Sequence, residues 1–164
     1  MKRTLTIDCL EKTFNYKGKS YLIRLWDTAG QEKYSYLTKS YYNKAHGIIL
    51  CCALDNRISF DNLNKWLKSL IENSYQKYEM IILGNKLDLD EKIVKEWELE
   101  EKSIEKNCKY FLTSALTSEN IFSSIDYLIL QIIEKAPKTS GFGFFSLGGG
   151  ENNDKKGYKC SDSC

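Results

Sequence analysis

The sequence predicts an α/β fold of the doubly wound kind, a parallel sheet with helices packed on its faces. One observation is a set of apolar runs without alternation, at residues 47–54 and 80–84 with a shorter one at 109–113. Such runs suit strands buried on both faces, as in a parallel sheet covered by helices. The other is that segments with apolar residues at helical spacing lie between and after these runs. Alternating strands and helices place a ligand crevice outside the carboxyl ends of the parallel strands.

In chain order, residues 9–16 and 21–27 read as two strands. They are joined at Lys17-Gly18-Lys19-Ser20, where Gly18 supplies the backbone freedom that a tight hairpin needs. The 47–54 strand follows. Phe60, Leu63, Leu67, Leu70 and Ile71 then repeat at helical spacing, with Ser59 placed to cap. After the 80–84 strand, residues 94–107 form a charge-dense helical candidate with Trp97 and Ile104 as its few anchors. Behind the last strand, Ser118 precedes an apolar face of Ile121, Ile125, Leu128, Ile129, Ile132 and Ile133. Pro137, the only proline, closes that helix. Residues 139–164 are rich in Gly, Ser, Asn and Lys apart from Phe142, Phe144 and Phe145, a composition expected to leave a flexible tail. The expected organisation is one domain over residues 1–137 and a tail over 138–164.

At 164 residues and 42% hydrophobic content, the chain is long enough for one domain with a core and too short for two. Its 24 basic and 22 acidic residues leave a net charge of +2, so no strong basic field points to nucleic acid, and no nucleic-acid partner is expected. Cys51 and Cys52 are adjacent inside an apolar run, and no apolar signal segment follows Met1, which fits a reduced, cytoplasmic setting. His46 is the only histidine and no C-x-x-C pair exists, so a structural zinc site lacks ligands. No apolar stretch approaches the length of a bilayer span. Contact with a membrane would have to come through an anchor or a recruiting partner.

Two motifs end predicted strands. Trp26-Asp27-Thr28-Ala29-Gly30-Gln31-Glu32 places a carboxylate at a strand end, suited to Mg²⁺, followed by a glycine whose backbone can approach a terminal phosphate. Gln31 then stands where it can orient an attacking water. Asn85-Lys86-Leu87-Asp88 has its own chemistry, because the Asp88 carboxylate can accept from both N1–H and the 2-amine of guanine, donors that adenine lacks. Thr113-Ser114-Ala115 after the next strand can bring a backbone N–H to the guanine carbonyl oxygen. A strand-ending turn is the plainer account of that tripeptide alone.

Read together in unbroken order from Thr4 to about Glu134, these motifs resemble the Ras superfamily of small GTPases, and within it the Rab branch. Trp26 before Asp-Thr-Ala-Gly-Gln-Glu and the stretch Ser40-Tyr41-Tyr42-Asn43-Lys44-Ala45 look Rab-like. The resemblance implies a P-loop-type sheet and a GTP/GDP switch in vesicle trafficking, peripheral on endomembranes, that hydrolyses GTP with Mg²⁺. It implies Thr4 and Asp27 at the metal, Gly30 at the γ-phosphate and Gln31 at the attacking water. Asn85, Lys86 and Asp88 correspond to guanine and loop contacts, with Ser114 and Ala115 closing the base pocket. The surface through which effectors and regulators are met maps to Cys9, Trp26 and Tyr41, where phenylalanine is usual at the first position.

Gly18-Lys19-Ser20 mimics the end of a phosphate loop, but Thr13 stands where its first glycine belongs and the tripeptide joins two strands. In the family the first strand, phosphate loop and first helix precede the threonine matched by Thr4, so a βαβ opening on the order of 30 residues is expected to be missing here. Losing that cradle would weaken nucleotide binding to micromolar or worse, and would leave the strands ending at Asp27 and Leu54 without the neighbour between them. Two accounts stand open: an internal methionine of a longer chain, or a degenerate interaction protein without the switch. In the tail, Cys160-Ser-Asp-Ser-Cys164 lacks a C-a-a-X ending. Family analogy nonetheless implies prenylation of Cys164, with Lys155, Lys156 and Lys159 meeting anionic lipid.

Overall fold

The computed structural model describes residues 8–27, 42–74 and 77–136. They fall into two compact units. The first holds an antiparallel hairpin of β1 (Asp8–Tyr16) and β2 (Lys19–Asp27), paired in register from Asp8↔Asp27 to Tyr16↔Lys19. Only Lys17 and Gly18 lie between the strands, at φ 48° and 74°. Two successive left-handed residues make the tight turn whose twist matches the strands, and Gly18 takes it without a Cβ penalty. The strands are therefore longer than the sequence suggests, since Lys19 and Ser20 already pair with Tyr16 and Asn15. One face carries the ion pair Arg24–Glu11 (2.6 Å) and a Ser20 to Asn15 hydrogen bond. The other carries the half-buried Phe14, Tyr16, Tyr21 and Ile23.

The second unit is built on a parallel sheet in the order β3 (Gly47–Ala53), β4 (Glu79–Asn85), β5 (Lys109–Leu112). Strand alternation sends Leu50, Cys52 and Ile82 to one face, where they pack with Phe60, Leu63, Leu67, Val94 and Leu99. Ile81 and Leu83 go to the other face and meet Leu128. The helices are α1 (Arg57–Asp61), α2 (Leu63–Asn73), α3 (Glu96–Glu105) and α4 (Ile121–Lys135). The first three serve one face of the sheet and α4 the other, so the doubly wound expectation holds for this unit. Burial pushes the Cys52 thiol up to about 12, with the adjacent Cys51 adding to it, so Cys52 stays a neutral, apolar core group.

Three details differ from the sequence reading. Ser59 is no cap: Asn56 accepts from the Ser59 N–H, while the Ser59 hydroxyl accepts from Ala53 N (2.9 Å) and fastens α1 to the end of β3. Ser118 does not cap α4 either. Asn120, at φ 55°, precedes the helix, and its side-chain amide donates to Leu112 O at 2.9 Å. Trp97 and Ile104, expected as anchors of α3, are 62% and 72% exposed. The helix is anchored instead by Leu99, and its start is held by Glu98, which accepts from Lys95 N and pairs with Arg57. The Arg57 hydrogen bond, with the Lys95 N–H behind it, holds the Glu98 carboxyl below its ordinary range.

At Gly84 the sheet leaves room for Leu99 of α3. A Cβ there would stand 2.5 Å from Leu99 Cδ1 and 3.0 Å from Leu54 Cδ2, and both leucines are fully buried. Gly84→Ala should therefore overpack the core and destabilise the unit by about 1–3 kcal/mol. Urea unfolding checks this, with a lower midpoint at unchanged slope as the expected result.

Candidate functional site

Asn85 ends β4 beside the end of β3, in register with Ala53, and Leu54 N donates to its carbonyl at 2.8 Å. The chain then turns through Lys86, at φ 72°, into an exposed loop reaching Asp88. A second loop, beginning at Thr113, leaves the end of β5 alongside it. The two are laced together: Leu87 N donates to Thr113 O (2.9 Å), Thr113 N to Gly84 O (2.9 Å), and Ala115 N to the Asn85 side-chain oxygen (3.0 Å).

The Ser114 hydroxyl completes the lacing. It accepts from Thr117 N at 3.1 Å, which leaves its single proton for Asp88 Oδ1. Ser114 is fully buried, whereas Asp88 is exposed. A buried hydroxyl thus holds one carboxylate oxygen of a group that can still accept from a ligand. Asn85, Lys86, Asp88, Ser114 and Ala115, five of the residues expected to surround a base, come together here. The Ala115 N–H is committed to Asn85 in this arrangement, so the pairing that links the two loops uses one of the backbone amides of the tripeptide expected to reach the base.

Lys86 has a partner that the sequence did not suggest. Its ammonium lies 2.7 Å from Asp55 Oδ2, on the segment leaving β3. Neighbouring parallel strands end side by side, so a carboxylate two residues past β3 falls beside the loop after β4. That topological rule is the one signal that could have found it. Asp55 Oδ1 and Thr113 Oγ1 are both buried without a hydrogen-bond partner among the described residues. Such orphaned atoms cost on the order of 1–3 kcal/mol each, and both border the laced loops, which fits a polar ligand site.

Asp27 closes β2, exposed, opposite Asp8 in register. No group of three or more His, Cys, Asp or Glu gathers among the described residues. Mg²⁺ is often held by one or two carboxylates together with phosphate oxygens and water, so a strand-end Asp27 fits it in kind. Cys9 and Trp26 are paired directly across the hairpin and so share a face, with Cys9 half-buried and Trp26 43% exposed. Thr4, Gly30, Gln31, Tyr41, Cys160 and Cys164 lie outside the described residues. No helix among the described residues is long and apolar enough to cross a membrane.

The Ras family profile matches residues 1–134. The chain is 37% identical over 135 residues to the Ras-related protein Rab-10 of Diplobatis ommata, covering 82% of this chain and 68% of that protein. It is 38% identical over 126 residues to Rab-11B of Dictyostelium discoideum, covering 76% and 57%, and 34% identical over 166 residues to human Rab-8B, covering 96% and 80%. Against several of these relatives, including Rab-13 of Mesocricetus auratus at 66%, the chain spans about two thirds of their length. With the strand-end motifs in the family's order and the family's profile covering most of the chain, this protein belongs to the Ras family, in its Rab branch of small GTPases.

Proposed function

We propose that this protein is a GTP/GDP switch in vesicle trafficking, binding guanine nucleotide with Mg²⁺ and resetting by GTP hydrolysis. The observation that carries the reading is the Ser114–Asp88 hydrogen bond, which orients a carboxylate able to accept from both N1–H and the 2-amine of guanine. Asn85 and Ala115 brace it from the neighbouring loop, and Lys86 is held alongside by Asp55. Mg²⁺, held by Asp27 and Thr4, would neutralise phosphate charge, while Gly30 approaches the terminal phosphate and Gln31 orients water. Cys9, Trp26 and Tyr41 supply the surface for effectors and regulators. A second reading, an interaction protein without nucleotide, is favoured by Cys9 standing where the family's effector surface usually has phenylalanine.

Titration with fluorescent GTP and ATP analogues in Mg²⁺ tests the choice. The switch predicts guanine binding at least about 10²-fold tighter than adenine, since adenine leaves the Asp88 carboxylate without its donors. Absence of any guanine preference would leave the interaction protein.

Residues 138–164 are proposed as a tail lipidated at Cys164, with Lys155, Lys156 and Lys159 as a second, electrostatic signal. One lipid chain binds membranes only marginally, so both signals are needed. In cell fractionation, Cys164→Ser should move most of the protein to the soluble fraction while Cys160→Ser should not. Equal sedimentation of Cys164→Ser and wild type would assign recruitment to a protein partner instead.

A further inference from the structure

The exposed side of α3 is built unlike a solvated helix face. At 100° per residue, Trp97 and Ile104 lie about 20° apart around the helix axis, on the side away from the buried Leu99 and Ser103. They are 62% and 72% exposed, so two large apolar side chains form the crest of a helix whose core contacts are made elsewhere. Glu100 and Glu101 flank that crest, one on each side, and both are exposed. The other glutamates of the helix are engaged. Glu98 holds Arg57 and Lys95 N, Glu105 holds Lys102 and Lys106, and Glu96 accepts from the Tyr110 hydroxyl. Among the described residues neither Glu100 nor Glu101 has an ion pair.

A cavity of about 410 Å³ opens beside this crest, and Glu100 and Ile104 belong to its lining. Two lysines also line it. Lys135 is paired with Glu79 at 2.8 Å, and Lys109 lies over the Tyr127 and Phe111 rings. Glu79 and Lys135 cancel and Lys109 keeps its charge against the rings, so the negative charge beside exposed apolar surface is that of Glu100 and Glu101 on the crest itself. Contiguous exposed apolar groups rimmed by charge mark interaction sites.

We propose that this face of α3 docks a basic, apolar segment of another protein. Leucine- or isoleucine-type side chains would cover Trp97 and Ile104, and lysine or arginine would meet Glu100 and Glu101 or stack on the Trp97 ring. Charge decides between occupants. An anionic lipid surface would be repelled by the two glutamates, and a second copy meeting the same face would set Glu100 and Glu101 against themselves. The surface is independent of nucleotide chemistry and stands whether or not the protein binds GTP.

The test uses the full chain, ¹⁵N-labelled, titrated with a synthetic amphipathic Lys/Leu helical peptide. A Glu/Leu peptide of the same pattern and phosphatidylserine vesicles serve as comparisons. Binding of the Lys/Leu peptide is expected at micromolar affinity, with shifts confined to α3 and the cavity and weakening as salt is raised. Trp97→Ala with Ile104→Ala should weaken it at least about tenfold, and because both side chains are exposed the fold should persist. Glu100→Lys with Glu101→Lys, which leaves the apolar crest in place, should transfer preference to the Glu/Leu peptide. Undiminished binding by the alanine variant, unchanged peptide preference in the reversed variant, shifts elsewhere on the chain, or tighter binding to the vesicles would each overturn the proposal.

Discussion

Asp88→Asn should lower affinity for GTP by roughly 10²-fold or more while raising affinity for XTP. The carboxylate would accept two hydrogen bonds from guanine, and bonds to a charged group contribute about 1.5–3 kcal/mol each, so losing one, reducing the other to a neutral bond and setting a donor against the 2-amine costs on the order of 3 kcal/mol. An asparagine keeps one acceptor for N1–H but turns the other position into an amine donor. That donor clashes with the 2-amine of guanine and matches the 2-oxygen of xanthine. The Ser114 hydroxyl is committed by Thr117 N as acceptor, so it continues to donate to the side-chain oxygen at position 88 and fixes which end of the amide faces inward. Competition of XTP and GTP for the mutant, read against the wild type, checks the exchange. Unchanged preference would remove Asp88 from base recognition.

The part of the site that was legible in the sequence is the part fixed by strand ends. Asn85 and Ser114 each follow a short apolar run, and parallel strands bring their carboxyl ends to one side, so the meeting of the two loops could be read before any coordinates. The lacing itself could not. Whether Ser114 donates to Asp88 depends on where Thr117 N points, and that is set by a turn with no strong local preference. Asp55 was missed for the same reason, since its role comes from adjacency in the sheet and carries no motif.

The helices show a related limit. Continuous apolar runs marked the strands of the parallel-sheet unit and helical spacing marked its helices, with α1 and α2 read as one, but the reading of α3 takes its apolar residues Trp97 and Ile104 for anchors. With only Trp97, Leu99 and Ile104 apolar in a helix otherwise polar or charged, Leu99, buried against Gly84 and Leu54, seats it together with the small Ser103, and the two larger side chains are left outside. The caps failed because capping competes with tertiary bonds. Ser59 had the right chemistry, but its hydroxyl is occupied by the end of β3, and Asn56 was free to take the cap. Composition states what a side chain can do, and the strand next to it decides which of those things it does.

Gln31→Leu should slow GTP hydrolysis by roughly 10²-fold with little change in GTP affinity. Phosphoryl transfer depends mainly on positioning and on electrostatic stabilisation of the transition state, and the carboxamide is the group assigned here to orient the attacking water. Leucine keeps the side chain's approximate size and removes that hydrogen-bonding capacity. Asp27 and Thr4, assigned to the metal, and the Asn85–Asp88 loop, assigned to the base, are untouched, so ground-state binding should survive. Loss confined to the chemical step is the signature of an interaction made in the transition state, in contrast to the affinity loss expected of Asp88→Asn. Single-turnover hydrolysis with nucleotide preloaded on both proteins separates that step from binding. Equal turnover would assign the water to another group, and a parallel fall in affinity would place Gln31 among the residues that hold the nucleotide.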